Sequence, residues 1–176
     1  KRTMRLTLLF LFIQTICFAQ VIPVEVVKTE SGFELVREGK PYYVKGVGGN
    51  VELDKAKAYG ANSFRTWSAD NAIEILDKAQ QEGLTVCMGL WAQHERHGFD
   101  YNDTLAVAKQ LASFKVTIDQ FKNHPALLMW GIGNEVNLSY TNPKVWNAIQ
   151  DIAKYAHQSD PNHPTTTVTA GLNRAE

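Results

Sequence analysis

Glu135 stands at the mouth of the most hydrophobic stretch of the chain. Ala126-Leu127-Leu128-Met129-Trp130-Gly131-Ile132-Gly133-Asn134-Glu135 runs large apolar residues into two glycines, then ends on an amide and an acid. Such a run reads as a strand buried on both faces, the kind found in parallel sheets. An unpaired carboxylate at its end costs several kcal/mol, or its pKa shifts until it is neutral. Glu135 therefore has a partner or a use; otherwise Asn134 and Glu135 simply open a solvated loop. Two other places gather residues suited to chemistry. Arg65 and Trp67 close the run Ala61 to Trp67, and Trp91 follows Leu84 to Leu90, ahead of a polar loop with His94, Glu95, Arg96 and His97. Those histidines miss the His-Glu-x-x-His zinc spacing, so no metal is expected. Gly48-Gly49-Asn50 follows a strand-like run, but the dinucleotide fingerprint needs glycine where Val51 stands. No cofactor is expected.

The elements that must position these residues alternate along the chain. Val21 to Val27 and Phe33 to Arg37 flank Glu30-Ser31-Gly32 as a hairpin. A turn at Glu38 to Pro41 leads into a β-rich run, Tyr42 to Val47, and a short helix from about Val51 to Tyr59, stopped by Gly60. After Ala61 to Trp67, Asp70 is placed to cap a helix through Glu82, with Ile73, Leu76 and Ala79 on one face and Gly83 at its end. Beyond Leu84 to Leu90, Asp103 starts a long amphipathic helix carrying Leu111, Phe114, Ile118 and Phe121 at helical spacing. Asn142-Pro143 supplies a cap and a first-turn proline to a helix with Val145, Ile149, Ile152 and Ala156 inward. Thr165 to Ala170 is a fifth, β-branched strand of the alternating part. Unbroken alternation predicts parallel strands with helical crossovers, in an open doubly wound sheet or a (β/α)8 TIM barrel. The barrel is favoured because Arg65, Trp67, Trp91, the His94 loop, Asn134 and Glu135 all fall at carboxyl ends of strands, which in a barrel form one face.

Composition narrows the classes further. The chain has 176 residues, with Lys and Arg balanced against Asp and Glu at 18 each, and no basic run that would suit nucleic acid. Lys1, Arg2 and Arg5 precede an apolar run from Leu6 to Phe18, and Cys17-Phe18-Ala19 suits a signal peptidase. Residues 1–19 are thus expected to be a signal peptide, with a secreted or periplasmic product and no stable membrane insertion. A lipoprotein acylated on Cys17 is the alternative, ranked second because bulky Ile16 precedes the cysteine. Removing the segment leaves 15 basic and 18 acidic residues, and a single cysteine, Cys87, read as a core residue rather than a nucleophile.

Tyr43-Val44-Lys45-Gly46-Val47, Gly60-Ala61-Asn62-Ser63-Phe64-Arg65 and His124 to Glu135 together resemble the retaining glycoside hydrolases of clan A. The resemblance is nearest to the barrel domain of family 2, with family 5 and the fungal-type β-glucanosyltransferases as near relatives. It implies a glycosidase acting on an oligo- or polysaccharide, with Glu135 as general acid/base, Asn134 on the sugar 2-hydroxyl and Arg65 orienting the nucleophile. Trp67 and Trp91 are candidate sugar platforms and His94 a candidate subsite residue. In this clan the nucleophile is a glutamate closing the seventh strand, and Glu176 sits just beyond the fifth. Residues 20–176 are accordingly expected to be the first five strands of a longer barrel, after a short N-terminal hairpin. A non-catalytic carbohydrate-binding barrel is the competing reading, and an unrelated α/β protein a third. Sequencing the N-terminus of exported material should return Gln20 as the first residue; an intact Lys1 to Ala19 segment would refute the processing.

Overall fold

The computed structural model describes residues 21–171; residues 1–19, expected to be a signal peptide, lie outside them, as does Glu176. Two sheets form. Strands β1 (Val24–Thr29), β2 (Gly32–Arg37) and β3 (Lys40–Pro41) make an antiparallel sheet around the expected hairpin. Strands β4 (Gly46–Gly48), β5 (Ser63–Arg65), β6 (Thr85–Leu90), β7 (Leu127–Asn134) and β8 (Thr165–Val168) make a wholly parallel sheet in chain order. Helices α1 (Leu53–Ala58), α2 (Ala72–Glu82), α3 (Thr104–Phe121) and α4 (Lys144–Ser159) lie between them. That is the alternating part of a TIM barrel, with five strands among the described residues.

β7 is its centre. Leu127, Leu128, Trp130 and Ile132 are buried, as the unbroken apolar run requires. Val86, Met88 and Leu90 of β6 join Leu127, Trp130 and Ile132 in one core with Leu76 and Ala79 of α2, Ile118 and Phe121 of α3, and Val145, Ile149, Ile152 and Ala156 of α4. Two helix starts follow the sequence. Asp103 accepts from the amides of Leu105 and Ala106, and Asn142 Oδ1 accepts from the Lys144 amide with Pro143 already in helical conformation.

Other details differ from expectation. The β-rich run Tyr42 to Val47 becomes strand only at its end, where Gly46–Gly48 joins the parallel sheet, while Lys40–Pro41, expected in the turn ahead of it, pairs back onto β2. Asp70 does not cap α2, because its carboxylate is taken by the Ser68 hydroxyl at 2.7 Å and left-handed Asn71 intervenes before the first turn. The buried face of α2 is accordingly Ala72, Leu76 and Ala79, leaving Ile73 49% exposed. Gly83 ends the helix in left-handed conformation, as its position suggests.

The hairpin sheet lies across the amino ends of the parallel strands. Arg37 donates to the Pro125 carbonyl ahead of β7, Tyr42 bonds Asn62 and Thr85 at the starts of β5 and β6, and the Val24 amide donates to Asn162 ahead of β8. Beneath β8 lies a buried polar cluster. Trp130 Nε1 donates to Asp160 Oδ2 at 2.8 Å, and His163 Nδ1 lies 2.9 Å from the same oxygen. Asp160 is 1% exposed and also receives the Asn162 amide, so one carboxylate fixes the α4–β8 turn to the middle of β7. Removing one partner of such a buried set strands the others. Asp160→Ala should therefore lower stability by about 3–5 kcal/mol, and Asp160→Asn by less, since an amide oxygen still accepts one donor. Urea midpoints at unchanged denaturant slope would measure both.

Candidate active site

The carboxyl end of β7 is shaped by an irregularity. Ile132 pairs with Thr167 but Asn134 pairs with Val168, so Gly133 is an extra residue in the ladder. It adopts φ 72°, and a Cβ there would meet Ile149 Cδ1 at 3.0 Å and Val136 Cγ1 at 3.1 Å. Glycine is required on both counts. Two residues on, Glu135 is itself left-handed, with φ 53°. For a residue with a Cβ this costs about 1–3 kcal/mol and persists only where the surroundings impose it. Here the Glu135 amide donates to Val168 O at 2.7 Å, while its carbonyl accepts from the Leu138 amide at 3.0 Å and from Arg96 Nη1 at 3.5 Å. Its carboxylate receives no hydrogen bond from the described residues.

Asn134, 8% exposed, accepts through Oδ1 from Arg65 Nη2 at 2.7 Å. The bond spans from the end of β5 to the end of β7 and fixes the amide orientation, leaving Nδ2 as the donating side. The Arg65 guanidinium also lies 5.5 Å from the Trp67 ring. Among the described residues it pairs with no carboxylate, so a surface ion pair does not account for it. Thus Arg65 and Asn134 are brought into direct contact, and Glu135 is the next residue along the chain.

The loop after β6 forms a third wall. Trp91, His94 and His97 stack in series, with centroids 4.8 and 4.9 Å apart. His94 is 2% exposed, yet neither ring nitrogen meets a protein partner. Burial pushes its pKa down, and the charge of Arg96 and His97 adds to this, so the ring is neutral at ordinary pH with one nitrogen donating and one accepting. Trp67, 46% exposed, and Trp91 share a cleft of about 520 Å³ with Ser68, Asp70, Gln93 and Thr117. Neither Asn134 nor Glu135 walls that cleft. Another cavity, about 300 Å³ between α3 and α4, is bordered by Tyr101, Gln110, Lys144 and Asp151 and contains none of the expected site residues.

Cys87 lies below this face. Burial pushes its thiol up to about 11 against the opposing pull of Arg65, so it stays protonated and unreactive at neutral pH. Sequence reasoning named Glu95 and Arg96 only as members of a polar loop and did not single out Thr141. Glu95 accepts from the Thr141 and Asn142 amides, and that partnership links positions 46 and 47 residues apart with no local signal.

A family model described as "Glycosyl hydrolases family 2, TIM barrel domain" matches residues 50–175. A β-glucuronidase of Paenibacillus borealis is 29% identical over 174 residues, covering 84% of this chain and 28% of that protein. A β-glucuronidase of Chlorocebus aethiops is 25% identical over 160 residues, covering 80% and 24%. The chain thus spans about a quarter of the length of the curated relatives it matches. Among solved structures, Bifidobacterium dentium β-glucuronidase complexed with coumarin-3-O-glucuronide superposes with TM-score 0.64 at 26% identity, covering 86% of this chain and 27% of that one. The β-D-glucuronidase of Dictyoglomus thermophilum, at 23% identity and TM-score 0.62 over 85% of this chain and 29% of its own, shares the fold.

Gly89 gives this face a test that is independent of chemistry. A Cβ at Gly89 would sit 2.4 Å from Thr66 O and from the Trp67 carbonyl carbon, both backbone atoms. Gly89→Ala must push the Thr66–Trp67 backbone just after β5 away and should cost about 1–3 kcal/mol. Gly48→Ala, whose Cβ would meet only the Trp67 ring at 3.7 Å, should cost little. Chemical denaturation of both variants checks the contrast.

Proposed function

This chain belongs to glycosyl hydrolases family 2, in its TIM barrel domain, and from that premise we propose that the protein hydrolyses β-linked O-glycosidic bonds with retention, Glu135 serving as general acid/base. The observation that carries the proposal is the left-handed Glu135, its backbone held from three sides and its carboxylate unengaged among the described residues. In this reading protonated Glu135 gives its proton to the glycosidic oxygen as the C1–O bond breaks. A second carboxylate, about 5–5.5 Å away, bonds C1. None of the described acids is assigned to that nucleophile. Glu135, now ionised, then takes a proton from water as the water attacks C1 and frees the nucleophile.

The neighbours acquire roles on the same reading. Asn134 presents Nδ2 to the sugar 2-hydroxyl because Oδ1 is held by Arg65. The remaining guanidinium N–H groups of Arg65 orient the nucleophile and favour its ionised form. Trp67 and Trp91 offer faces to sugar rings, and buried His94 supports the Trp91 face on which it stacks. The relatives named above are β-glucuronidases, so an aryl β-D-glucuronide is the first substrate to try. Transfer to a second sugar instead of water would use the same groups. Export through residues 1–19 is part of the proposal, since a polysaccharide substrate lies outside the cell.

The test uses the full-length protein. Glu135→Gln keeps shape and polarity but removes the proton, so glycosides with poor leaving groups should lose ~10²–10⁴ in rate. Activated aryl glycosides should still glycosylate the enzyme, and azide, which needs no deprotonation, should restore their turnover. Equal losses on both substrate types with no azide effect would remove Glu135 from the mechanism.

A further inference from the structure

Glu95 leads the short 3-10 turn Glu95–His97 in the β6–α3 loop and reaches into the segment between Glu135 and α4. Its Oε2 accepts from the Thr141 amide at 2.7 Å and the Asn142 amide at 3.0 Å, and its Oε1 from the Thr141 hydroxyl at 2.5 Å. A second tie joins the same two loops, Lys144 Nζ donating to Asn102 Oδ1 at 2.9 Å. Arg96, the next residue in the chain, donates from Nη1 to the Glu135 carbonyl at 3.5 Å. On its other side the Glu135 loop is fastened to the β8 loop, where Asn137 exchanges two hydrogen bonds with Ala170.

We infer that Glu95 is a positioning residue for Glu135, a clasp holding the β7–α4 loop against the β6–α3 loop so that the acid is aimed at the glycosidic oxygen. The inference rests on Glu135 being the general acid/base. Its geometry is suited to the task. A carboxylate receiving two successive amides and a hydroxyl is a charge-assisted, multidentate contact, stronger than a neutral one. Those donors, the Thr141 hydroxyl first and the Asn142 and Thr141 amides after it, hold the Glu95 carboxyl below its ordinary pKa. The folded-state value being depressed, the clasp is complete above the unfolded pKa and lost as pH falls through the folded one. The backbone it restrains includes the left-handed turn that aims Glu135, and a small misplacement of a catalytic group is costly.

The experiment is a double-mutant cycle in the full-length protein with poor- and good-leaving-group glycosides. Glu95→Ala should lower kcat/KM for the poor-leaving-group substrate on the order of 10²-fold and leave kcat/KM for an activated aryl glycoside, which reports glycosylation alone, nearly unchanged, while its steady-state turnover slows and is relieved by azide. In a Glu135→Gln background the same change should cost almost nothing, because no proton is left to aim. Thr141→Val, which removes the hydroxyl but keeps the amide, should show a smaller loss of the same selectivity and covers the case that Glu95→Ala fails to fold. Losses equal across substrates, losses that persist in the Glu135→Gln background, or no loss in either variant would overturn the clasp. Should Glu135→Gln alone show no leaving-group dependence, the acid/base reading fails first, and by a separate measurement.

Discussion

The backbone irregularity at the end of β7 is the constraint on which the carboxyl face depends. A regular parallel strand would carry residues 132 to 135 on alternate faces, and a one-residue slip would send each side chain to the opposite side. The extra residue at Gly133 lets β7 remain paired with β8 while turning Asn134 towards Arg65. The Glu135 amide still reaches Val168, so the turn is made without losing a ladder bond. Gly133 permits the first unusual conformation, and tertiary contacts impose the second on Glu135. Strain at that position is thus bound to a fully bonded neighbourhood rather than to a flexible loop.

The two ends of the sheet divide the work. At the amino ends, the hairpin sheet and the Trp130–Asp160–His163 cluster join segments far apart in sequence through buried or half-buried hydrogen bonds. Most of their partners are satisfied within the protein, with His163 Nε2 and Arg37 Nε the exceptions. At the carboxyl ends, polar groups are left over: His94 with two unpartnered nitrogens, Arg65 with spare N–H groups, and tryptophan surface in a polar cleft. Unsatisfied polar groups in a well-packed domain lower its stability and are tolerated where a ligand completes them. That asymmetry is the one expected of a barrel whose chemistry is confined to one face.

Much of this was legible in the sequence where the signal is local. The apolar run of β7, the Asp103 cap and the Asn142-Pro143 start each depend on residues within a few positions of one another. Alternation of elements then fixed the parallel sheet, and family likeness directed attention to Asn134 and Glu135. What was not legible is tertiary. Asp70 has the type and position of a cap, but a serine two residues earlier competes for it. Ile73 fits an apolar face by type, yet the helix starts so that Ala72 points inward instead. The extra residue at Gly133 depends on the register of β8, and the Glu95 clasp on two loops that meet only in the folded barrel. Glycine at 133 and glutamate at 95 have many local explanations, and only the packed structure selects among them.

The carboxylates themselves separate structure from chemistry. Asp119 is held well below the usual range by the Ser159 hydroxyl, the Tyr155 hydroxyl and Lys122, and it ties α3 to α4. Asp160 accepts from Trp130 and the Asn162 amide beside His163, and Glu95 from Thr141 and Asn142. In each the side-chain oxygens are occupied by donors that no substrate could displace without unfastening two elements. The donors hold Asp119 and Glu95 below their ordinary pKa, which makes both poor proton donors. Glu135 reverses the arrangement. Its main chain is bonded on both sides, fixing where the side chain starts, while its oxygens receive nothing from the described residues. A general acid needs that combination, a fixed origin with oxygens still open to a substrate. Glu135 thus differs from these three acids in the division of hydrogen bonds between backbone and carboxylate, which is the division its proposed role requires.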